Sequence, residues 1–314
     1  IAPQRGGTYI DCTFGGGGYS KAILNFPDTK VIALDRDKLT KKYATDLEKK
    51  FPKRFTFFEE KFSNISKVVK KDLNPKAVIF DLGLSSFQLS DQKRGFSFES
   101  RNFLNMEMGI NEYTAYDVVN NLDKEYLAKI IKFLGEEKDG KIIANKIDKH
   151  RSQKPIETSK ELSSIINSVK KNYNSHKKNP STKTFQAIRI FVNQELTQLI
   201  EGLIEATKLL SEGGLLIVIS FHSLEDRIVK NFFKLQSNLK RNPSRYFPVK
   251  ENESTLFNLN FSRPIGPDKK EVIENIRSRS AKLRYGERNN NSFFYPVDFK
   301  NQFINYLKFE NIRV

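Results

Sequence analysis

The chain of 314 residues has no tryptophan, one cysteine and three histidines, and each scarcity removes a class of function. Cys12 has no second cysteine to pair with, so no intrachain disulfide forms, which fits a reducing compartment. His150, His176 and His222 lack the short spacing of zinc ligands, so no metal is expected. The longest purely apolar runs, such as residues 215–219, are strand-sized and too short to cross a bilayer. No signal peptide is visible. The first residue is Ile1 rather than methionine, so a segment ahead of it is expected to be missing.

What is present is ordinary for a folded domain: 38% hydrophobic residues, 29% charged residues, 26 phenylalanines and 11 tyrosines. The formal net charge of +17 is not ordinary. Such a field attracts a polyanion, and nucleic acid is the usual one. A genome biased toward lysine, asparagine, isoleucine and phenylalanine would produce the same excess, so charge alone does not choose.

Short apolar runs at residues 8–12, 31–34, 55–58 and 77–80 read as strands, separated by helix-like stretches at 20–26 and 38–50. Strands alternating with helices predict an α/β fold, a Rossmann-like parallel sheet with helices on both faces. From residue 88 to 182 the strand signal disappears, and only helical patterns follow, the last over 159–173 behind a Thr158 or Ser159 cap. A sheet crossover needs about 30 residues, so a mostly helical inserted domain is expected. The sheet domain then comprises 1–88 and 184–314, and the insertion 89–183. One long amphipathic helix is expected over 184–210, ended by Gly213. The strand at 215–219 follows, and beyond Asn238 the chain reads as basic loop.

A strand ending in Asp11, four glycines at 15–18, a helix, and Asp35 closing the next strand form a nucleotide-binding arrangement. Glycines let the backbone pass close to a ligand, and Asp35 stands where an acid accepts ribose hydroxyls. Ligands of such sheets bind beyond the carboxyl ends of the strands, so Asp11, Asp35 and Asp81 should converge on one crevice. A phosphate loop would need Gly-Lys-Ser/Thr, but here the glycines run into Tyr19-Ser20-Lys21. A dinucleotide turn would need a third spaced glycine at Ser20 or Lys21. S-adenosyl-L-methionine requires neither.

These blocks resemble those of a known family. Asp11-Cys12-Thr13-Phe14-Gly15-Gly16-Gly17-Gly18-Tyr19-Ser20, Asp35-Arg36-Asp37, Asp81-Leu82-Gly83-Leu84-Ser85-Ser86 and Arg94-Gly95-Phe96-Ser97-Phe98 are similar to motifs of the bacterial small-subunit ribosomal RNA cytosine-N4-methyltransferases (RsmH, formerly MraW). So are Thr184-Phe185-Gln186-Ala187-Ile188-Arg189, Val192-Asn193-Gln194-Glu195-Leu196, Ser220-Phe221-His222-Ser223-Leu224-Glu225-Asp226-Arg227 and Arg277-Ser278-Arg279-Ser280-Ala281-Lys282-Leu283-Arg284. They run in family order over nearly the whole chain. The resemblance implies a class I S-adenosylmethionine-dependent methyltransferase fold with cofactor contacts at Gly17, Gly18, Tyr19, Asp35, Phe62, Asp81 and Gln88. It also implies a substrate, a cytosine in the decoding region of 16S rRNA methylated on N4 within the small ribosomal subunit. Three departures stand out: Tyr19 where the family has histidine, Phe87 where it has proline, and Leu104-Asn105-Met106-Glu107-Met108-Gly109 where its block carries two further acids and an arginine.

The cytosine amine is a poor nucleophile because its lone pair is delocalised, so an acceptor for an N4 proton is needed. Asp81 is the first candidate, with His222 and Ser220 as holders of the base; a histidine that merely braces its loop through Glu225 or Asp226 is the plainer reading of His222. The Asp/Asn/Ser-Pro-Pro-aromatic motif of amino-methyltransferases is absent. The target base must leave its stack, and Phe87 or Phe221 offers a face to it. Phosphate contacts are expected at Lys170, Lys171, Lys177, Lys178 and Lys183, and along an extended Arg277, Arg279, Lys282 and Arg284 segment. A cytoplasmic setting follows, a homodimer is compatible with it, and no membrane partner is expected. The competing readings are a methyltransferase of another RNA or DNA base, a weakly catalytic ribosome-assembly factor that kept the fold, and a nicotinamide-dependent dehydrogenase.

Overall fold

Residues 31–34, 77–80 and 215–219 are unbroken apolar runs, the pattern of strands covered on both faces. In the computed structural model, which describes residues 1–170, 179–237, 255–259 and 263–314, all three become central strands. Lys171, His176, Lys177 and Lys178 lie outside the described residues. The chain begins β1 (Gly7–Asp11), α1 (Gly18–Leu24), β2 (Thr29–Asp35), α2 (Lys41–Lys50), β3 (Phe55–Glu59), α3 (Ile65–Val68) and β4 (Ala77–Asp81). Helices follow: α4 (Ser86–Ser90), α5 (Ala115–Asn121), α6 (Lys124–Phe133), α7 (Gly140–Arg151), α8 (Ser159–Val169), α9 (Thr182–Asn193) and α10 (Glu195–Leu209). The chain closes with β5 (Leu215–Ser220), α11 (Ser223–Leu235), β6 (Phe257–Asn258), α12 (Lys269–Glu274), β7 (Lys282–Arg288), α13 (Val297–Gln302) and α14 (Ile304–Glu310).

The contacts divide the chain into two units, one of residues 1–83 and 198–303, the other of 84–197 and 304–314. The first holds a seven-stranded sheet of order β3-β2-β1-β4-β5-β7-β6. Strands β1 to β5 are parallel, while β7 runs antiparallel to β5, from Leu215 opposite Glu287 to Ser220 opposite Lys282. Tyr9, Val31, Ala33, Phe55 and Ile79 point to one face, where Phe14, Ile23, Leu24, Ala44 and Leu47 cover them. On the other face the Phe80 ring meets Phe62 edge-on at 5.3 Å. Gly202 of α10 sits so close that a Cβ there would come within 2.7 Å of the Phe62 ring. The parallel ladder leaves Asp11, Asp35, Asp81 and Ser220 together at the carboxyl ends.

The second unit is helical. Leu127, Ile130 and Ile131 of α6, Ile143 and Ile147 of α7, Leu162 and Ile166 of α8, and Ala187 and Ile188 of α9 are fully buried. Capping boxes start three of its helices: Ser85 with Gln88 for α4, Thr114 with Asp117 for α5, and Thr158 with Glu161 for α8.

Three expectations need correction. The helix anticipated over 184–210 is two helices, broken at Gln194, which adopts φ 50°. Asn193 is turned inward, accepting from Met108 N at 2.7 Å and donating to Met106 O at 2.8 Å. The helix that restarts is capped from elsewhere: the Glu310 carboxylate accepts from Leu196 N at 3.0 Å and Thr197 N at 2.7 Å. The basic loop beyond Asn238 contains strand β7, whose charged residues alternate with Leu283 and Tyr285. The supposedly extended Arg277 to Ser280 stretch is a 3-10 turn over Ile276–Ser280, held by Asn275 Oδ1 accepting from Arg277 N at 3.2 Å.

Candidate active site at the strand ends

The glycine-rich turn is shaped from within. Gly15 (φ 53°) and Gly17 (φ 78°) take left-handed backbone, and a Cβ on Gly17 would strike the Phe14 ring at 2.9 Å. Gly16 and Gly18 have the opposite reason for being small. A Cβ on either would meet nothing within 4 Å, so both border open space above β1. Asp35 ties this turn to β2: its Oδ2 accepts from Gly15 N at 2.8 Å and its Oδ1 from Asp37 N at 2.9 Å. Each oxygen keeps a lone pair for a further donor.

Asp11 is completely buried and accepts from Ser20 Oγ at 2.7 Å and from Thr13 N at 3.3 Å. Thr13 in turn accepts from Asp81 N at 2.7 Å, joining the ends of β1 and β4. The Tyr19 hydroxyl donates to the Asp81 carboxylate. Asp81 Oδ1 is buried with no hydrogen-bond partner among the described residues. An unmet carboxylate oxygen in a protein interior is costly, and it ordinarily has a ligand in view.

Electrostatics point the same way. Burial, then the charges of Asp11 and Glu225, push the Asp81 carboxyl up to about 6, against the pull of the Tyr19 bond. Burial also raises Asp35 to about 6, opposed by the Asp37 and Gly15 amides, and it raises Asp11 above the usual carboxylate range. Burial and the same acids lift the Tyr19 phenol well above its ordinary value, keeping it a donor. In a chain of net charge +17, these strand ends gather mutually repelling acids. Such a place suits a cation, not a pyrophosphate.

Beyond β5, His222 caps α11: its Nδ1 accepts from Glu225 N at 3.4 Å, and Glu225 Oε2 accepts from Phe221 N at 2.9 Å and His222 N at 3.3 Å. His222 Nε2 lies 3.1 Å from Glu225 Oε1, but outside hydrogen-bonding geometry. The histidine therefore braces the loop through Glu225. Ser220 is buried, and its hydroxyl donates to Lys282 O at 3.4 Å. A Cβ on Gly83 would sit 3.6 Å from the Phe221 ring, so that ring borders the end of β4.

Other expected positions lie elsewhere or are already engaged. Phe62 packs on Phe80 and Gly202. Gln88 belongs to the second unit, where its Oε1 accepts from Ser85 N at 2.9 Å in the capping box of α4. Lys282 Nζ and Arg284 Nε pair with Asp226 at 2.9 Å and 2.8 Å. Lys170 is not offered to solvent as expected: it is buried against Glu137 at 2.6 Å. Lys183 Nζ donates to Glu136 O at 2.9 Å. Arg277 and Arg279 are exposed. The altered 104–109 block is internally satisfied, Asn105 Nδ2 donating to Glu107 Oε2 at 2.6 Å and Arg94 to Glu107 O at 2.6 Å. Sequence reasoning missed two things: Glu225 as a member of the acidic group, and Asp35 as the brace of the glycine turn. The Ser-Phe-His-Ser-Leu-Glu string carried the first signal, and the spacing of 20 residues from Gly15 the second.

Five parallel strands, an antiparallel β7 beside β5 and this acid-lined turn define a class I S-adenosylmethionine-dependent methyltransferase. The family model described as the MraW methylase family matches residues 1–289. The chain belongs to that family and is a methyltransferase. It is 45% identical over 287 residues to the ribosomal RNA small subunit methyltransferase H of Ehrlichia canis, covering 90% of this chain and 94% of the relative. The protein of the same name from Afipia carboxidovorans is 40% identical over 294 residues, 93% of this chain and 88% of its own. That from Nitrobacter hamburgensis is 42% identical over 290 residues, 92% and 87%.

The residues at the strand ends suit the methyl donor. Gly16 and Gly18 leave room where a Cβ would intrude, Asp35 retains acceptor capacity for a ribose, and the acids favour a ligand bearing sulfonium and ammonium charge. Bound there, S-adenosylmethionine supplies a methyl group already activated by its sulfonium.

Proposed function

We propose that this chain methylates the exocyclic N4 of a cytosine in the decoding region of 16S rRNA, acting on the small ribosomal subunit in the bacterial cytoplasm. The names of its relatives support the substrate class. The observation that carries the chemistry is Asp81 Oδ1, buried in a group of acids and without a hydrogen-bond partner among the described residues.

In this reading Asp81 accepts a proton from the cytosine amino group as the N4 lone pair turns toward the methyl carbon. Tyr19 donates to the Asp81 carboxylate and so orients it. Asp35 and the backbone at Gly17 and Gly18 hold the donor's nucleoside and amino-acid parts, with Phe62 and Gln88 as further contacts. His222, fixed through Glu225, and Ser220, fixed to β7, shape the floor beneath the base, and Phe221 or Phe87 stacks on it. Positioning of the amine is the main task. Residues 1–88 and 184–314 serve as the methyltransferase part and 89–183 as an inserted helical domain. Arg277 and Arg279, with Lys183, Lys177 and Lys178, supply phosphate contacts, while Lys282 and Arg284 act chiefly through Asp226.

The test is incubation of the protein with unmethylated small subunits and labelled donor, followed by mapping of the modified nucleotide. Label at N4 of one decoding-region cytosine is expected; label on another base, on DNA alone, or nowhere refutes the assignment. Calorimetry supplies the companion measurement. Asp35→Ala removes the charge-assisted bonds from Gly15 N in the glycine turn and from Asp37 N, and it should weaken donor binding roughly 100-fold.

A further inference from the structure

The second unit carries a cleft that the strand-end chemistry does not use. It lies between α7 and α8, has a volume of about 580 Å³, and is lined by Arg101, Lys146, His150, Lys160, Glu161 and Ser164, among others. Lys146 and His150 stand four residues apart on α7, and Glu161 and Ser164 three apart on α8, so each helix presents one face to the cleft.

Its charge is unbalanced. The one carboxylate in the lining, Glu161, is committed to its own helix start, accepting from Glu157 N at 2.9 Å and Thr158 N at 3.1 Å. Lys160 approaches the exposed Glu99 only at 3.7 Å, a loose surface contact. Asp148, the acid on α7, is held by Arg151 at 2.8 Å. Arg101 and Lys146 have no ion pair among the described residues. Contrast Lys170 and Arg189 in the same unit, each closed on a glutamate. Long cations left unpaired around an open cleft are what a phosphate backbone requires. Ser164 Oγ donates to Lys160 O at 2.8 Å, leaving its lone pairs for a donor such as a ribose 2′-hydroxyl.

We propose that this α7–α8 cleft is a backbone anchor for the substrate RNA, seating a phosphodiester between Arg101, Lys146 and Lys160. The proposal rests on the RNA-methyltransferase reading and adds a second place of contact to it. The anchor makes no contact with the reacting base, so it governs affinity and not the chemical step.

The test uses the full chain carrying Arg101→Glu and Lys146→Glu together. Both residues are on the surface, and Arg101→Lys serves as the charge-retaining control. With unmethylated small subunits, KM should rise roughly tenfold or more while kcat stays within about twofold. Binding to small-subunit ribosomal RNA should lose about two from its log–log salt slope. Donor affinity by calorimetry and the thermal midpoint should match the wild type, and Arg101→Lys should behave as wild type. An unchanged KM and salt slope in a folded double variant overturns the anchor while leaving the methyltransferase reading intact. If the wild type fails to methylate the subunits, that reading fails instead, and RNA affinity of the double variant still decides the cleft: equal affinity to wild type overturns it. Loss confined to kcat overturns it as well.

Discussion

The two units treat buried charge in opposite ways. In the helical unit a buried ionic group is closed on a partner: Lys170 on Glu137 at 2.6 Å, Arg189 on Glu195 at 2.8 Å through two parallel bonds. At the strand ends of the sheet unit, Asp11, Asp35 and Asp81 share a region with no lysine or arginine bonded to them among the described residues, and Asp81 Oδ1 is left without any donor. Pairing makes a charge structural, because its desolvation is offset inside the fold. Leaving it unpaired costs stability that only a ligand can return.

The most severe way to break this comparison is Asp81→Asn. The amide keeps the shape and can still accept from Tyr19, but it cannot take an amine proton. Turnover on small subunits should fall about 1000-fold, with donor affinity within a few fold. The wild-type kcat/KM should rise with pH through about 6 and level above it, because the carboxylate must be ionised to accept. An ordinary carboxylate would place that rise about two units lower. If Asp81→Asn turns over normally, the unmet oxygen is a packing accident, and the distinction between the units loses its meaning.

Which parts of this were legible beforehand follows from the range of the interactions. The strands ending in Asp11, Asp35 and Asp81 announce themselves locally, by apolar runs of buried parallel type closed by an acid, and their convergence follows from the parallel order. Strand β7 did not, since Lys282, Arg284, Glu287 and Arg288 give it the composition of a loop; only pairing with β5 makes it a strand. The break at Gln194 was invisible because the cap of α10 comes from Glu310, more than 110 residues along the chain. Lys282 and Arg284 read as phosphate ligands because their partner Asp226 lies 56 and 58 residues away. Local pattern reveals elements and misses the long-range pairing of charges.

That pairing can be sharpened at Asp226. Its carboxyl lies below the usual range, burial opposing but the bonds of Arg284 and Lys282 prevailing. Arg284 and Asp226 have side chains only 11% and 12% exposed, so Arg284→Ala leaves a nearly buried acid with one half-exposed lysine. Stability should drop by about 2–3 kcal/mol, read as a lower urea midpoint at unchanged slope. Arg279→Ala, exposed in the neighbouring 3-10 turn, should leave the midpoint where it is and instead lower the salt slope of RNA binding by about one. Equal midpoints for the two variants would place Arg284 with the RNA ligands after all.

The smallest effect, read per unit of pH, tests the one residue that complicates the contrast. Glu310 is in the helical unit and accepts hydrogen bonds from Leu196 N, Thr197 N and Thr197 Oγ1, yet it has no cationic partner among the described residues. Burial raises its carboxyl to about 8, with the charge of Glu195 adding to the rise and the three bonds opposing it. A folded-state value above the unfolded one means that the native protein holds the extra proton. The stability this contributes is complete below about 4.5 and is lost as pH climbs through 8. Over that window the slope for one group is about 1.4 kcal/mol per pH unit, or roughly 2–4 °C in thermal midpoint per unit. Glu310→Gln stays neutral, keeps an acceptor over the start of α10, and should remove that slope while matching the wild type near pH 5. Parallel curves for the two proteins from pH 5 to 8 would mean that Glu310 is ionised throughout. The helical unit would then contain an unpaired buried charge of the kind otherwise confined to the strand ends.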